Sequence, residues 1–571
     1  MDSRGYSALP APQDQDSFYS TTAIQAYAFV TLSIVAAFAL RFAWMVKLTP
    51  VISFEAEYVR VAENLRAGYG LISSYGGPET MYAPLYSILI AGVSVLARNS
   101  ELAAHLVSII FGTLLIVPVF LITLRVYGMR AAQLSAILVA IHPLLVARGG
   151  SIYTEAVYPT FLMTAIYFAI RSLDLSSLKN YFLCGAFFGL AYLTRPEAFA
   201  YPLFFASAFC ALALFKRRGF ATTILAPGLI LAGFALLASP YVGFLHEHTG
   251  HWRLEGKWNI NYTAGVRQQS GLDELQALYG VDDKGNELGP LLDPERFADY
   301  TPYAHSWRDK LHFMLCAARD NREQADRTVL STISGEPFAL ILITLGLFRR
   351  TWGMERLLNE MVLGVMVLSV LVLVFTAQHI EFRYADPLVP LTIPWVANGL
   401  KELGDWFRSL AQRLSPWLIP RARVLGVTAQ VAICVPMLVL SFADTRTLSE
   451  FKIEGAMNLG VKKAALWLKN QKPEAKRVAA MNSVVPYYSS SIMVQFPYAD
   501  PSPTLLYLNS KNVDYVVLDG HFSKSYGTVR DWLARGIPDA RAQLVYDSGG
   551  SLENRVEIYR WEKASSASTG L

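Results

Sequence analysis

Apolar stretches long enough to cross a bilayer recur along most of this chain, and that repetition decides what it can fold into. A span needs about 20 mostly apolar residues in a row. Such stretches lie at roughly 23–46, 102–124, 131–148, 155–171, 178–194, 197–215, 221–245, 329–348, 358–377, 385–400 and 423–442. The stretch 83–97 is apolar as well. Of the 571 residues, 53% are hydrophobic and 17% charged, where soluble domains carry about a quarter charged. A soluble enzyme of this length would lack the charge to cover its surface, and a disordered chain would lack the polarity. The net charge of +5 gives no sign of a nucleic-acid partner. The four cysteines, Cys184, Cys210, Cys316 and Cys434, include no CxxC pair, which argues against a disulfide framework or a zinc ribbon.

Loop charge sets the orientation. If 83–97 does not cross and the N-terminus is inside, one side collects Arg125 and Arg130, then Arg171 and Lys179. It also collects Lys216, Arg217 and Arg218, then Arg349, Arg350 and Arg356, then Lys401, Arg408, Arg413, Arg421 and Arg423. Basic residues favour cytoplasmic loops. The segment 83–97 is therefore read as lying at or dipping into the outer face, giving eleven crossings with the C-terminus outside.

The fold expected is a polytopic α-helical membrane protein with a small C-terminal extracytoplasmic α/β domain. Residues 1–22 read as a disordered cytoplasmic tail, 23–443 as the membrane domain, 444–563 as the α/β domain and 564–571 as a disordered tail. Two further outer pieces are the loops 50–101 and 246–328. In the C-terminal region "GAMNLGVKKAALWLKN" reads as an amphipathic helix. "VAAMN", "VDYVVLDG", "AQLVYD" and "VEIYRWE" read as strands.

Ionisable residues cluster at the outer face. Glu55 and Glu57 follow the first span in "SFEAEYVRVAENLRAGYG". On a helix, residues two apart do not share a face, so one carboxylate can face a cavity while the other faces elsewhere. A partly desolvated carboxylate is a candidate general base. Tyr58, Val61 and Leu65 give the same helix an apolar stripe suited to lying on the membrane. Glu155 opens a span, where the helix dipole favours an acid. Arg195 lies in a short outer turn, against the charge rule, and either pairs with Glu155 or Glu197 or binds phosphate. Arg383 repeats the situation in "QHIEFRYADPLVP". His246, His248 and His251 in "HEHTGH" are weak candidates for a metal. No GxxxxGK[ST], strand-linked GxGxxG or GxSxG motif is present, which disfavours nucleotide-driven pumping and serine hydrolysis.

The ordered run "FEAEYVRVAENLRAGYG", "MYAPLYSILIAG", "YTEAVYPTFL", "GLAYLTRPEAF" and "EFRYADPLVPL" resembles the GT-C membrane glycosyltransferases. It is most similar to bacterial relatives of the dolichyl-phosphate-mannose protein mannosyltransferases and the lipid A aminoarabinose transferases, over about residues 23–400. The resemblance implies transfer of a sugar from a polyprenyl-phosphate carrier to a protein, lipid or polysaccharide acceptor on the periplasmic face of a bacterial inner membrane. It implies no certain cofactor, with a divalent metal the one candidate. The family pattern carries an Asp-Glu pair followed by a Tyr; Glu55 and Tyr58 match, and Phe54 stands in place of the Asp. Glu55 becomes the candidate base, with Glu57 in reserve. Tyr58, Tyr82, Glu155, Arg195, Arg383 and Tyr384 become candidate substrate-binding residues.

Two other readings stay beside this one. Phe54 admits a catalytically inactive member that binds the carrier. A lipid or sugar transporter would show inverted repeats and mid-membrane charges, whereas the ionisable residues here gather at one face.

Overall fold

The structure, a computed structural model, describes residues 13–48, 55–173, 177–217, 219–299, 306–334, 337–377, 382–414, 459–473 and 476–562, with positions 428, 432 and 435. The predicted span 423–442 and most of 1–22, together with Phe54 and the 564–571 tail, lie outside these residues.

The chain opens with α1 (Gln13–Leu48). It reaches back into the stretch read as a tail, because no Pro or Gly interrupts the sequence between Pro12 and Pro50 and helix propagation is easy once a span has nucleated it. Next come α2 (Ala56–Arg66) and α3 (Leu85–Ala97). At 13 residues α3 is roughly 20 Å long, too short for a hydrocarbon core of about 30 Å. The non-crossing reading of 83–97 agrees with that length. The apolar stripe of α2 does not lie on the membrane surface: Tyr58 and Val61 are buried and the helix packs on α3.

The bundle continues with α4 (Ser100–Leu114), α5 (Ile116–Tyr127), α6 (Met129–Ile141), α7 (Pro143–Gly150), α8 (Thr154–Arg171), α9 (Leu178–Thr194), α10 (Ala200–Phe215) and α11 (Phe220–Thr249). Residues Ser100–Tyr127 make one 28-residue apolar run. The predicted span 131–148 is instead two helices bent by 52°. Pro143 causes the break, since it has no N–H for the Val139 carbonyl. Arg41, fully buried in α1, supplies the missing donor. Its Nη2 donates to Val139 O (3.1 Å) and its Nη1 to Ala140 O (3.2 Å). α8 is apolar on all sides and buried along nearly its whole length, as expected for a central helix. α9 and α11 touch through glycines: a Cβ on Gly185 would collide with the Ile230 carbonyl, and one on Gly233 with the Phe182 carbonyl. Small residues allow such close helix approach.

The segment 250–299 carries α12 (Trp258–Gln269), α13 (Glu274–Tyr279) and α14 (Pro294–Asp299). Then follow α15 (Trp307–Asp320), α16 (Arg322–Ser334), α17 (Pro337–Phe348), α18 (Met354–Thr376) and α19 (Leu388–Leu414). The predicted span 329–348 therefore begins as part of the polar helix α16, and only α17 is continuously apolar. Among the described residues five helices are long and apolar enough to cross a membrane, or six with the bent α6–α7 pair.

A helix over 459–469 (α20) leads into a five-stranded sheet. The strands are β1 (Arg477–Ala480), β2 (Ile492–Gln495), β3 (Tyr515–Asp519), β4 (Ala542–Asp547) and β5 (Val556–Trp561), in the order β2-β1-β3-β5-β4. β1 pairs parallel with β2 and β3, and β5 antiparallel with β3 and β4. Between strands lie α21 (Val484–Ser489), α22 (Pro501–Ser510) and α23 (Gly527–Arg535). Four strands match the sequence reading; β2, four residues long, was not anticipated.

The sheet domain sits on the segments 55–101 and 250–299. Ser74 O accepts from Met493 N (2.8 Å), so residue 74 covers the free edge of β2. Tyr498 N donates to Tyr279 O (2.8 Å). Lys462 and Tyr488 both reach Glu101, at 3.1 and 3.0 Å, and Tyr487 reaches Glu63 (3.3 Å). The three pieces read from sequence as outer thus pack together beside α2 and the start of α4.

Candidate active site

Beneath that cover, seven ionisable side chains from several helix ends and short turns come together. Most are placed by a local interruption of helix. Glu55 is the residue before α2. Glu155 lies in the first turn of α8, where unpaired backbone N–H groups favour an acid. Pro196 disfavours helical geometry at the residue before it, so Arg195 is extended, at φ −145°, and ends α9. The short helix Pro196–Phe199 then places Glu197 beside Arg195. Arg383 and Tyr384 lie on a single turn, Phe382–Tyr384, held apart from α19 by Pro387.

The distances define a chain of charges. Arg383 Nη1 donates to Glu55 Oε1 at 2.5 Å, and its Nε lies 3.8 Å from Glu155 Oε1. Arg195 Nη1 donates to the same Glu155 oxygen at 2.6 Å, while its Nε donates to Glu197. Arg148 Nε donates to Asp386 Oδ2 at 2.7 Å. Glu155 and Asp386 are almost wholly buried, as are the side chains of Arg148 and Arg195. Three guanidinium groups thus meet four carboxylates. Aromatic rings line the network. The Arg195 guanidinium lies 5.5 Å from the centre of the Tyr158 ring and 5.8 Å from that of Tyr384, and Arg148 lies 4.7 Å from that of Tyr153. Tyr58 packs against Tyr82 and Tyr86, with ring centres 5.2 and 5.3 Å apart.

Glu57 points elsewhere, as the spacing of two predicts. Its Oε1 accepts from Ser74 N at 2.7 Å, its other oxygen accepts from the Ser74 hydroxyl, and its carboxyl faces that of Glu79. Glu79 Oε1 also accepts from Met81 N (2.8 Å) and Tyr82 N (2.9 Å). Burial pushes both carboxyls above the usual range, and for Glu79 the neighbouring Glu57 charge pushes further.

The structure therefore brings together Glu55, Glu155, Arg195, Arg383 and Tyr384, sets Tyr58 and Tyr82 against each other nearby, and turns Glu57 away. His246 stacks on Trp252 with ring centres 4.0 Å apart, and His248 stacks on Phe244 and contacts its carbonyl. Among the described residues no group of three or more His, Cys, Asp or Glu is placed to hold a metal. Sequence reasoning missed Arg148 and Asp386. Asp386 sits two residues after Tyr384 in a motif already singled out, which was the available signal. Glu79 was missed too, and a lone Glu in a loop gives no signal of burial.

The fold is that of the GT-C membrane glycosyltransferases. Residues 81–243 match the family model described as dolichyl-phosphate-mannose-protein mannosyltransferase. The oligosaccharyltransferase of Archaeoglobus fulgidus aligns with a TM-score of 0.58 at 13% identity, covering 95% of this chain and 75% of its own. ArnT from Cupriavidus metallidurans, solved bound to undecaprenyl phosphate, aligns with a TM-score of 0.55 at 13% identity, covering 94% of this chain and 98% of its own. AglB from A. fulgidus, in complex with an inhibitory peptide and a dolichol-phosphate, aligns at 0.53 with 15% identity, covering 95% and 75%. No curated protein matches the sequence.

Proposed function

We propose that this protein is a glycosyltransferase that moves a sugar from a polyprenyl-phosphate carrier to an acceptor at the extracytoplasmic face, with inversion at the anomeric carbon. The observation that carries the reading is the convergence of Arg195 and Arg383 on Glu155, with Glu55 on the far side of Arg383. Two guanidinium groups beside a carboxylate form an anion site next to a proton acceptor. The bundle ends at this site, so a lipid-borne donor reaches it from the membrane.

Arg383 lies against Glu55 as its counter-ion. When a carrier phosphate draws the guanidinium to itself, Glu55 loses its counter-charge and its proton affinity rises. It then takes the proton of the acceptor hydroxyl or amine. The acceptor attacks the anomeric carbon from the face opposite the phosphate. The carbon–oxygen bond to phosphate breaks, and the electron pair leaves with the carrier phosphate. Arg195 and Arg383 stabilise the charge that develops there. Tyr384 and Tyr158 confine the Arg195 guanidinium. Glu57, turned toward Glu79, has no role as a base in this scheme. The scheme needs no divalent metal at Glu55 and Glu155, each of which is paired with a guanidinium. No step is routed through one.

The carrier, acceptor and membrane side are read from family likeness and from loop charge. Binding of undecaprenyl phosphate to the purified protein, compared with Arg383→Ala, tests the anion site. Equal binding by both proteins would remove Arg383 from it.

A further inference from the structure

Two buried carboxyl groups that hydrogen-bond to each other need a proton between them, since two bare carboxylates in contact repel. Glu57 and Glu79 are 6% and 5% exposed and their carboxyls lie within interaction reach of each other. Each carboxyl also accepts two hydrogen bonds from the loop, Glu57 from Ser74 and Glu79 from Met81 N and Tyr82 N. The neighbouring Glu57 charge raises Glu79 further, so the proton resides on Glu79. The pair joins three parts of the molecule. Glu57 is on α2, two residues after Glu55 and one before Tyr58. Glu79 fixes the backbone of Met81 and Tyr82, and the Tyr82 ring packs on Tyr58. Ser74, held by Glu57, also accepts the hydrogen bond from β2.

We propose that Glu79 is a positioning residue: a proton shared with Glu57 latches the loop over residues 70–82 shut, and so holds Tyr82 and Tyr58 beside the Glu55–Arg383 pair. The part of this inference that concerns catalysis rests on the glycosyltransferase reading; the latch itself does not.

The surroundings leave the pair short of positive charge. Arg60 on α2 faces Glu57. Tyr75 faces both carboxyls, Tyr82 and Tyr241 of α11 face Glu79, and all three are neutral phenols. Glu295 of α14 contacts Ser73 and Gly77 in the same loop. Lys257 lies 5.5 Å from the centre of the Tyr82 ring. A carboxyl raised by folding contributes closure that is complete at low pH and is lost as pH rises through its raised value. The latch therefore opens toward alkaline pH.

Hydrogen–deuterium exchange of the full-length protein in nanodiscs reads the latch without any substrate. After correction for intrinsic exchange, backbone amides of 70–82 in wild type should speed up by about tenfold per pH unit above the raised value. In Glu79→Gln the side-chain amide donates to Glu57 with no titrating proton, so the same amides should stay protected across the range. Flat wild-type protection from pH 5 to 9 would overturn the proposal, and so would Glu79→Gln that loosens in parallel with wild type. If Glu79→Gln does not fold, the wild-type profile alone decides. A transfer assay is read separately. Transfer with flat exchange defeats the latch and keeps the function, and responsive exchange without transfer does the reverse.

Discussion

Arg383 and Glu55 lie 328 positions apart in the chain and 2.5 Å apart in space, Nη1 to Oε1. The contact ties the turn before α19 to the start of α2. It also gives the candidate base a built-in counter-ion. Any ligand that takes the arginine changes the base.

Arg195 joins Glu155 and Glu197 at once through two edges of its guanidinium. Arg195→Ala would leave the buried Glu155 and the partly exposed Glu197 short of a partner. We expect it to lower transfer by about 100-fold or more and to cost about 3–5 kcal/mol of stability. Arg195→Lys should recover little of the transfer, since an ammonium cannot span both acids. Transfer rates and thermal unfolding in detergent check both. Full activity in Arg195→Lys would show that only the charge matters.

Arg41 answers an orphan that Pro143 creates in the bundle. Arg41→Met should cost about 1–3 kcal/mol for each abandoned carbonyl. Pro143→Ala restores an N–H four residues beyond Val139, so the double variant should lose less than the sum of the singles. A coupling of about 0.5–3 kcal/mol in an unfolding cycle is expected. Strict additivity would contradict the account of the break.

The α9–α11 contact depends on Gly185 and Gly233. Gly185→Val should destabilise by at least about 1–3 kcal/mol through overpacking. Gly228, on α11 with open space around its Cβ position, is the control. Gly228→Ala should be neutral or stabilise by up to about 1 kcal/mol. Equal loss in both variants, measured by thermal unfolding, would point to general helix sensitivity instead of close packing.

Glu57 and Glu55 should separate in function. Glu57→Gln is expected to change transfer by less than about tenfold, equivalent to 1.4 kcal/mol, because its carboxyl holds Ser74 and Glu79 and not the arginine network. A larger loss than that of Glu55→Gln, in the same assay, would restore Glu57 as the base.

The chain told most where its physics is local. Long apolar runs located the bundle, and alternating patterns located β1, β3, β4 and β5. The five motifs contained Glu55, Glu155, Arg195 and Arg383 before any geometry was known. What stayed hidden depends on tertiary contact. The break at His142–Pro143 was visible as a proline but its cure, Arg41 from another helix, was not, although a charged residue inside a span is itself a signal. β2 is four residues between serines and a Phe-Pro pair, too short to show a period. Glu79 looks like any loop acid until folding buries it against Glu57.

The central claim is a base at Glu55 beside two phosphate-binding arginines. The most direct test is transfer from a panel of radiolabelled polyprenyl-phosphate sugars, with membrane extract as the acceptor source, by wild type and Glu55→Gln. The account predicts label transfer by wild type and a loss of about 100-fold to 10,000-fold in Glu55→Gln, with undecaprenyl phosphate still bound. Transfer that survives intact in Glu55→Gln would contradict it.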